Sequence, residues 1–161
     1  MKYLRLSFLF AALLVSICRA DENQSSKVYK LSKGLTIQVP TNVKVFCKSP
    51  VEDFVLFTFK RGTNIVLNAY LGNQPSFPFE KGTSVKKEKI NNIPIENIEH
   101  EVKSGLHSRE VLFHLGDSPK WPQRLHCWYS GLTGDEAVQA DKMLSTVQAD
   151  GSHAQPKLGA K

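Results

Sequence analysis

Two imidazoles, His114 and His126, are the side chains whose type and spacing best suit chemistry, because they stand on either side of the Pro119-Lys120 turn. If the flanking segments form a symmetric hairpin, the rings lie directly opposite each other, with Cβ atoms about 4.5 to 5.5 Å apart. Two histidines so placed can share a metal ion, or repel one another once protonated. Zinc sites take three or four protein ligands, and no third partner stands at a readable position. The plainer expectation is a pair of half-buried or exposed rings next to Trp128. His100, His107 and His114 recur every seven residues, which would align them on a helix. Their segment reads as strands, where side chains alternate between faces, so that regularity builds no site.

Nucleophilic catalysis lacks its parts. No serine sits in a Gly-x-Ser-x-Gly setting, and the acids Glu52, Asp53, Glu101 and Glu110 read as solvated surface carboxylates. With no phosphate loop and no metal signature, the chain implies no cofactor, and an enzyme is the less favoured reading. The stronger binding candidate is the segment from Tyr70 to Phe79 (YLGNQPSFPF). Its prolines and glycine restrict or redirect the backbone, while Tyr70, Phe77 and Phe79 supply rigid apolar area that loses little entropy on docking. The competing expectation tucks Phe77 and Phe79 under the sheet as a lid. Trp121, in a turn before Pro122, is expected to be an exposed contact, and Trp128 a packing residue.

The compartment follows from the first twenty residues. Lys2 and Arg5 precede a greasy stretch from Leu6 to Ile17, and Ala20 offers a small residue to cut behind, the pattern of a secretory leader. The apolar run is too short to span a bilayer comfortably, and no second one follows, so the mature form is expected to carry no transmembrane helix and to be secreted or periplasmic. Lipid anchoring at Cys18 is disfavoured by Ile17, since the site before an acylated cysteine usually needs a small residue. Removing Lys2, Arg5 and Arg19 from 21 basic residues leaves 18 against 15 acids, so the net charge falls from +6 to +3. That balance argues against nucleic acid as a partner. Cys47 and Cys127 remain, an even count in an oxidising compartment, and are expected to form a disulfide that removes roughly 4 to 5 kcal/mol of unfolded-chain entropy.

The elements that must position these residues are mostly strands. Alternation predicts strands at 28–31, 35–39 and 43–47, with Val43, Val45 and Cys47 on one inward row. DFVLFTFK and NIVLNAYL, joined by Arg61-Gly62-Thr63, are the strongest strand signals, and the first is apolar on both rows, as a strand in the sheet's middle would be. Residues 81–94 read as either an exposed edge strand or a solvated loop. A three-stranded meander is predicted from 95–102, 109–115 and 123–129. One helix is predicted over 135–148, begun by a Thr133/Glu136 capping box and carrying an apolar stripe of Ala137, Ala140, Leu144 and Val147.

The chain thus reads as a signal peptide (1–20), a disordered lead-in (21–27), one α+β domain (28–149) and a disordered tail (150–161), without internal repeats. The fold class is α+β: mainly antiparallel β-sheet with a C-terminal helix packed on one face. In outline this is similar to the sandwich of photosystem oxygen-evolving accessory proteins and some periplasmic lipoproteins, a likeness of architecture that carries no function. The expected function is a small exported binding or accessory protein presenting a rigid surface to a protein or cell-envelope partner. The alternatives are a metal-dependent protein built on His114 and His126, and a secreted inhibitor or immunity-type protein.

Overall fold

The computed structural model describes residues 25–80, 83–102, 104–116 and 122–150. The leader at 1–20 with Cys18, most of the lead-in, Trp121 and the tail beyond Asp150 lie outside the described residues.

Among the described residues, ten strands form two antiparallel sheets, joined by one helix. A small sheet holds β1 (Ser26–Ser32), β2 (Leu35–Pro40) and β10 (Gln148–Ala149) in the order β1-β2-β10. The large one holds β3 (Lys44–Val51), β4 (Phe54–Arg61), β5 (Asn64–Gly72), β6 (Lys86–Ile90), β7 (Ile93–Val102), β8 (Leu106–His114) and β9 (Arg124–Leu132), in the order β3-β4-β5-β9-β8-β7-β6. The meander is therefore present, extended by residues 86–90 as a lysine-rich edge strand, and β9 rather than β4 is central. The turn between β6 and β7 is Asn91-Asn92, both at positive φ (48° and 67°), the backbone that a tight two-residue hairpin requires. Strand β1 begins at Ser26, two residues before the expected strand start.

Period-two alternation assigns the rows. Phe57 and Phe59, Leu67, Ala69 and Leu71, Leu125, Cys127 and Tyr129, Val111 and Phe113, and Ile95 all point to one face, here called the inner face, and are buried. They join Leu35, Ile37 and Val39 of β2 in one contiguous apolar cluster. The outer face carries Leu56, Tyr70, His126, Leu112 and Glu96 along one cross-strand row and Thr58, Asn68, Trp128, Glu110 and Ile98 along the next.

The helix α1 spans Gly134–Ser145. Thr133 caps it: its backbone N–H and its hydroxyl both donate to Glu136 (3.2 and 3.0 Å), as the sequence predicts. It stops three residues short of the expected end because Thr146 folds back. The Thr146 hydroxyl donates to the Met143 carbonyl (2.6 Å) and accepts the Gln38 N–H (2.9 Å), and Asn91 at the β6–β7 turn donates to the carbonyls of Ser145 and Val147 (2.8 and 2.9 Å). Gln148 and Ala149 are thereby delivered to β2. Ala137, Ala140, Met143 and Leu144 are buried in the apolar cluster, and Asp141 accepts from Arg109 (2.9 Å) and from the Tyr129 hydroxyl (3.1 Å).

The expected Cys47–Cys127 disulfide is not formed: Cys47 is exposed and Cys127 is fully buried, both as free thiols. The register explains why. Cys47 pairs with Phe57, Phe57 with Ala69 and Ala69 with Cys127, so the two cysteines share a row but stand three strand spacings, about 14 Å, apart. A disulfide tolerates roughly 7 Å between Cα atoms at most. Cys47 also fails to be inward because β3 is an edge strand and its row ends uncovered there. Burial pushes the Cys127 thiol well above its usual pKa. A thiol reagent is accordingly expected to modify Cys47 in the native protein and Cys127 only after unfolding, as peptide mapping would show. Equal protection of both native thiols, released together by a reductant, would restore the bridge.

Candidate functional site

The two histidines that the sequence places opposite each other are offset by two residues along the ladder. His126 faces Leu112 and His114 faces Arg124, because the β8–β9 hairpin is centred on Pro119, whereas equal spacing needs Lys120. Shifting a hairpin's centre by one residue displaces every partner by two. Each ring instead has its own carboxylate. His114 Nε2 lies 3.1 Å from Glu96 Oε1 near the β6 edge, beside Lys87 and Lys89. His126 Nε2 lies 3.5 Å from Glu110 Oε2 in the interior of the outer face. Among the described residues no group of three or more histidines, cysteines and acids is arranged to hold a metal ion. The shared metal site is therefore not assembled here.

His126 is not the half-buried ring that its sequence context implies; it is 1% exposed. The segment after β5 folds back across the outer face and encloses it. Phe77 meets the imidazole edge-on at 5.3 Å, Phe79 lies tilted at 4.9 Å, and Trp128 of the same strand stands 5.0 Å away. At 3.5 Å the Glu110 contact lacks hydrogen-bond alignment, and Nε2 has no hydrogen-bond partner. Desolvation therefore outweighs the carboxylate's pull, and burial lowers the His126 pKa to about 4. The ring is neutral at neutral pH. Glu110 also departs from expectation, being buried rather than a solvated surface acid, and its Oε2 accepts the Phe79 backbone N–H (3.2 Å). Glu52 and Asp53 are exposed, as expected.

This hydrogen bond fastens the loop. The Phe77-Pro78 peptide is cis, Phe77 is half-buried and serves as the lid, while Phe79 remains 50% exposed. Burial over the sheet thus falls to Phe77, and Phe79 is the ring of this loop left exposed. Tyr70, the third aromatic of the segment, lies across from His126 but stacks on Phe54 at 5.2 Å, and its hydroxyl accepts the Gln74 N–H (3.4 Å). It braces the loop's start and does not join the exposed ring.

Between Phe79 and strands β8 and β9 runs a cleft of about 320 Å³, lined by Phe79, Glu80, Ser108, Glu110, Trp128 and Ser130 together with Arg109 and Tyr129. Phe79 and Trp128 meet there at 84° with centroids 5.3 Å apart, and the hydroxyls of Ser108 and Ser130 are hydrogen-bonded (3.1 Å). Sequence reasoning missed Glu80, Ser108, Glu110, Trp128 and Ser130 as cleft residues. The signal available was parity: Ser108 and Glu110 share a row on one strand, as do Trp128 and Ser130 on the next.

No protein-family model and no curated protein matches the chain. What this cleft can do is therefore read from its own side chains. It combines aromatic ring faces, two serine hydroxyls and two carboxylates along one wall of the outer face. No helix among the described residues is long and apolar enough to cross a membrane.

Proposed function

We propose that the protein is an exported, non-catalytic binding or accessory domain that docks a protein or cell-envelope partner at the Phe79 cleft. The supporting observation is an aromatic ring left half exposed on a rigid mount: Phe79 leans on His126 and Trp128, and its N–H is held by Glu110. An exposed ring already fixed in position loses little entropy when a partner covers it. In this reading α1 lies across the inner face through Ala137, Ala140, Met143 and Leu144, leaving the outer face for the partner. Export is supported by the leader-like first twenty residues. A secreted inhibitor or immunity-type protein is a special case, recognised by one stoichiometric hydrolase partner.

Phe79→Ser tests the reading. Because the ring is half exposed, the substitution is expected to cost about 1 kcal/mol of stability or less, while recovery of the partner from the exported fraction falls at least tenfold. Quantitative capture on wild-type and variant protein, with chemical denaturation of both, supplies the two numbers. Undiminished capture of every wild-type partner by the variant removes Phe79 from the interface.

A further inference from the structure

We propose that the β3 edge of the large sheet docks an extended acidic segment of a protein partner, which adds to the sheet as a further strand. β3 ends the strand order on its side, and among the described strands it pairs with β4 alone. In an antiparallel ladder every second residue of an edge strand turns its N–H and C=O away from its neighbour, so β3 presents ladder groups outward. Its regular pairing runs over five residues, from Lys44 opposite Lys60 to Lys48 opposite Leu56, and breaks in a register shift before Val51. Pro50, inside that shift, has no N–H to offer, so the window for a guest strand is Lys44 to Lys48. This surface is separate from the Phe79 cleft and does not depend on it.

Alternation puts Lys44, Phe46 and Lys48 on the outer face beside Leu56, Thr58 and Lys60 of β4, three lysines and no acid. The β3 residues of this set are exposed, Phe46 by 49%, and the Lys60 ammonium lies 5.4 Å from the Phe46 ring centroid. The exposed acids Glu52 and Asp53 stand in the β3–β4 turn, beyond the break in pairing. A guest strand with an apolar residue opposite Phe46 and acids two positions to either side sets carboxylates opposite Lys44 and Lys48, favourable cross-strand pairs. The recognised pattern is therefore acid-x-apolar-x-acid. The other edge of the sheet shows what charge alone does. There β6 exposes Lys86, Lys87, Glu88 and Lys89 with no large apolar side chain between them, a composition that deters pairing. On β3 a half-exposed aromatic ring interrupts the charges, which deterrence does not call for. A second copy is the poorer occupant. Antiparallel pairing centred on Phe46 sets Lys44 of each copy against Lys48 of the other, and in-register parallel pairing sets each lysine beside its own counterpart.

The test is a titration of the isotopically labelled protein, under reductant to keep Cys47 a thiol, with a capped heptapeptide carrying glutamates two positions either side of a central valine. Backbone amide shifts of residues 44–48 are read by NMR. The same peptide with lysines for the glutamates, and the same peptide N-methylated at alternate residues, serve as comparison probes. Saturable shifts with the glutamate peptide are expected, weakened about tenfold when Lys44→Glu and Lys48→Glu are combined. The lysine peptide is expected to regain that affinity on the double variant, and N-methylation to abolish binding by removing ladder donors. Both lysines are exposed, so the double variant keeps its fold. Absence of saturation, shifts centred on Phe79 and Trp128 instead of β3, or equal affinity of wild-type protein for the lysine peptide overturns the inference. So does an edge already filled. Hydrogen-exchange protection of 44–48 that falls on dilution assigns the edge to a second copy, and protection lost on combining Asp21→Asn with Glu22→Gln assigns it to the chain's own lead-in. Phe79→Ser is expected to bind the peptide as the wild type does, so failure of the cleft reading leaves this one standing.

Discussion

Acidification from pH 6.5 to pH 4 is expected to cost the folded protein about 3 kcal/mol through His126 alone. Above 6.5 the imidazole is neutral in both the folded and the unfolded chain and contributes no pH dependence. As the pH falls through that value the unfolded chain takes up the proton first, since burial holds the folded pKa near 4. Each pH unit within the window then favours unfolding by about 1.4 kcal/mol, and below 4 the slope vanishes because both states are protonated. Urea unfolding of wild-type protein and of His126→Gln across this range isolates the contribution, since other titrating groups act on both proteins alike. The wild type is expected to lose its share of stability relative to the variant steadily between the two values. Parallel pH profiles would mean that the folded protein protonates His126 at its ordinary pKa, and that the Phe77, Phe79 and Trp128 enclosure is open to water.

The second large effect is expected at Leu144. This side chain is 1% exposed and belongs, with Ala137, Ala140 and Met143, to the buried stripe of α1. Leu144→Ala removes buried methyl groups and leaves a cavity, a change that destabilises by about 2 to 5 kcal/mol. Val138, on the same helix but 54% exposed, serves as the internal control. Its replacement by alanine is expected to change stability by less than ~0.5 kcal/mol, because an exposed valine has little packing to lose. Denaturant midpoints of the two variants and the wild type give the comparison. Equal, small effects at both positions would show that α1 is not anchored by this stripe and that its hydrogen bonds to β2 and to Asn91 hold it instead.

Most strands and the helix start were legible because their causes are local. Phe57 and Phe59 on the same row, the Gly62 turn at φ 61°, and Thr133 with Glu136 three residues on are read within a few positions of the chain. The Asn91-Asn92 turn was equally local, and its two asparagines were the signal that would have turned the ambiguous residues 81–94 into a hairpin. The helix end was not local. It is set by Gln38 and Asn91, residues 108 and 54 positions away from those they bond, which no pattern around Gln148 could announce.

The candidate site shows the same division. Phe77 and Phe79 stood out by type, yet that one covers His126 half-buried and the other stays half exposed depends on a loop fastened by Glu110, 31 residues away, which accepts the Phe79 N–H. Glu110 and His126 looked like solvated polar residues because strand alternation states which row a side chain joins, not whether a loop later covers that row. The disulfide expectation failed for a related reason. An even cysteine count states how many thiols are available, whereas a bond depends on strand order, and β4 and β5 separate Cys47 from Cys127.

By itself the amino-acid order determined the β-rich class, the inner and outer rows, the capped helix and the leader-like start, all consequences of periodicity and neighbouring residues. Only the tertiary structure decided which strands adjoin, where the β8–β9 hairpin is centred, which thiols can meet and which polar groups the 73–80 segment encloses. Those outcomes depend on contacts between distant residues, whose free energy comes from burying the two sheets and the loop together rather than from any local preference.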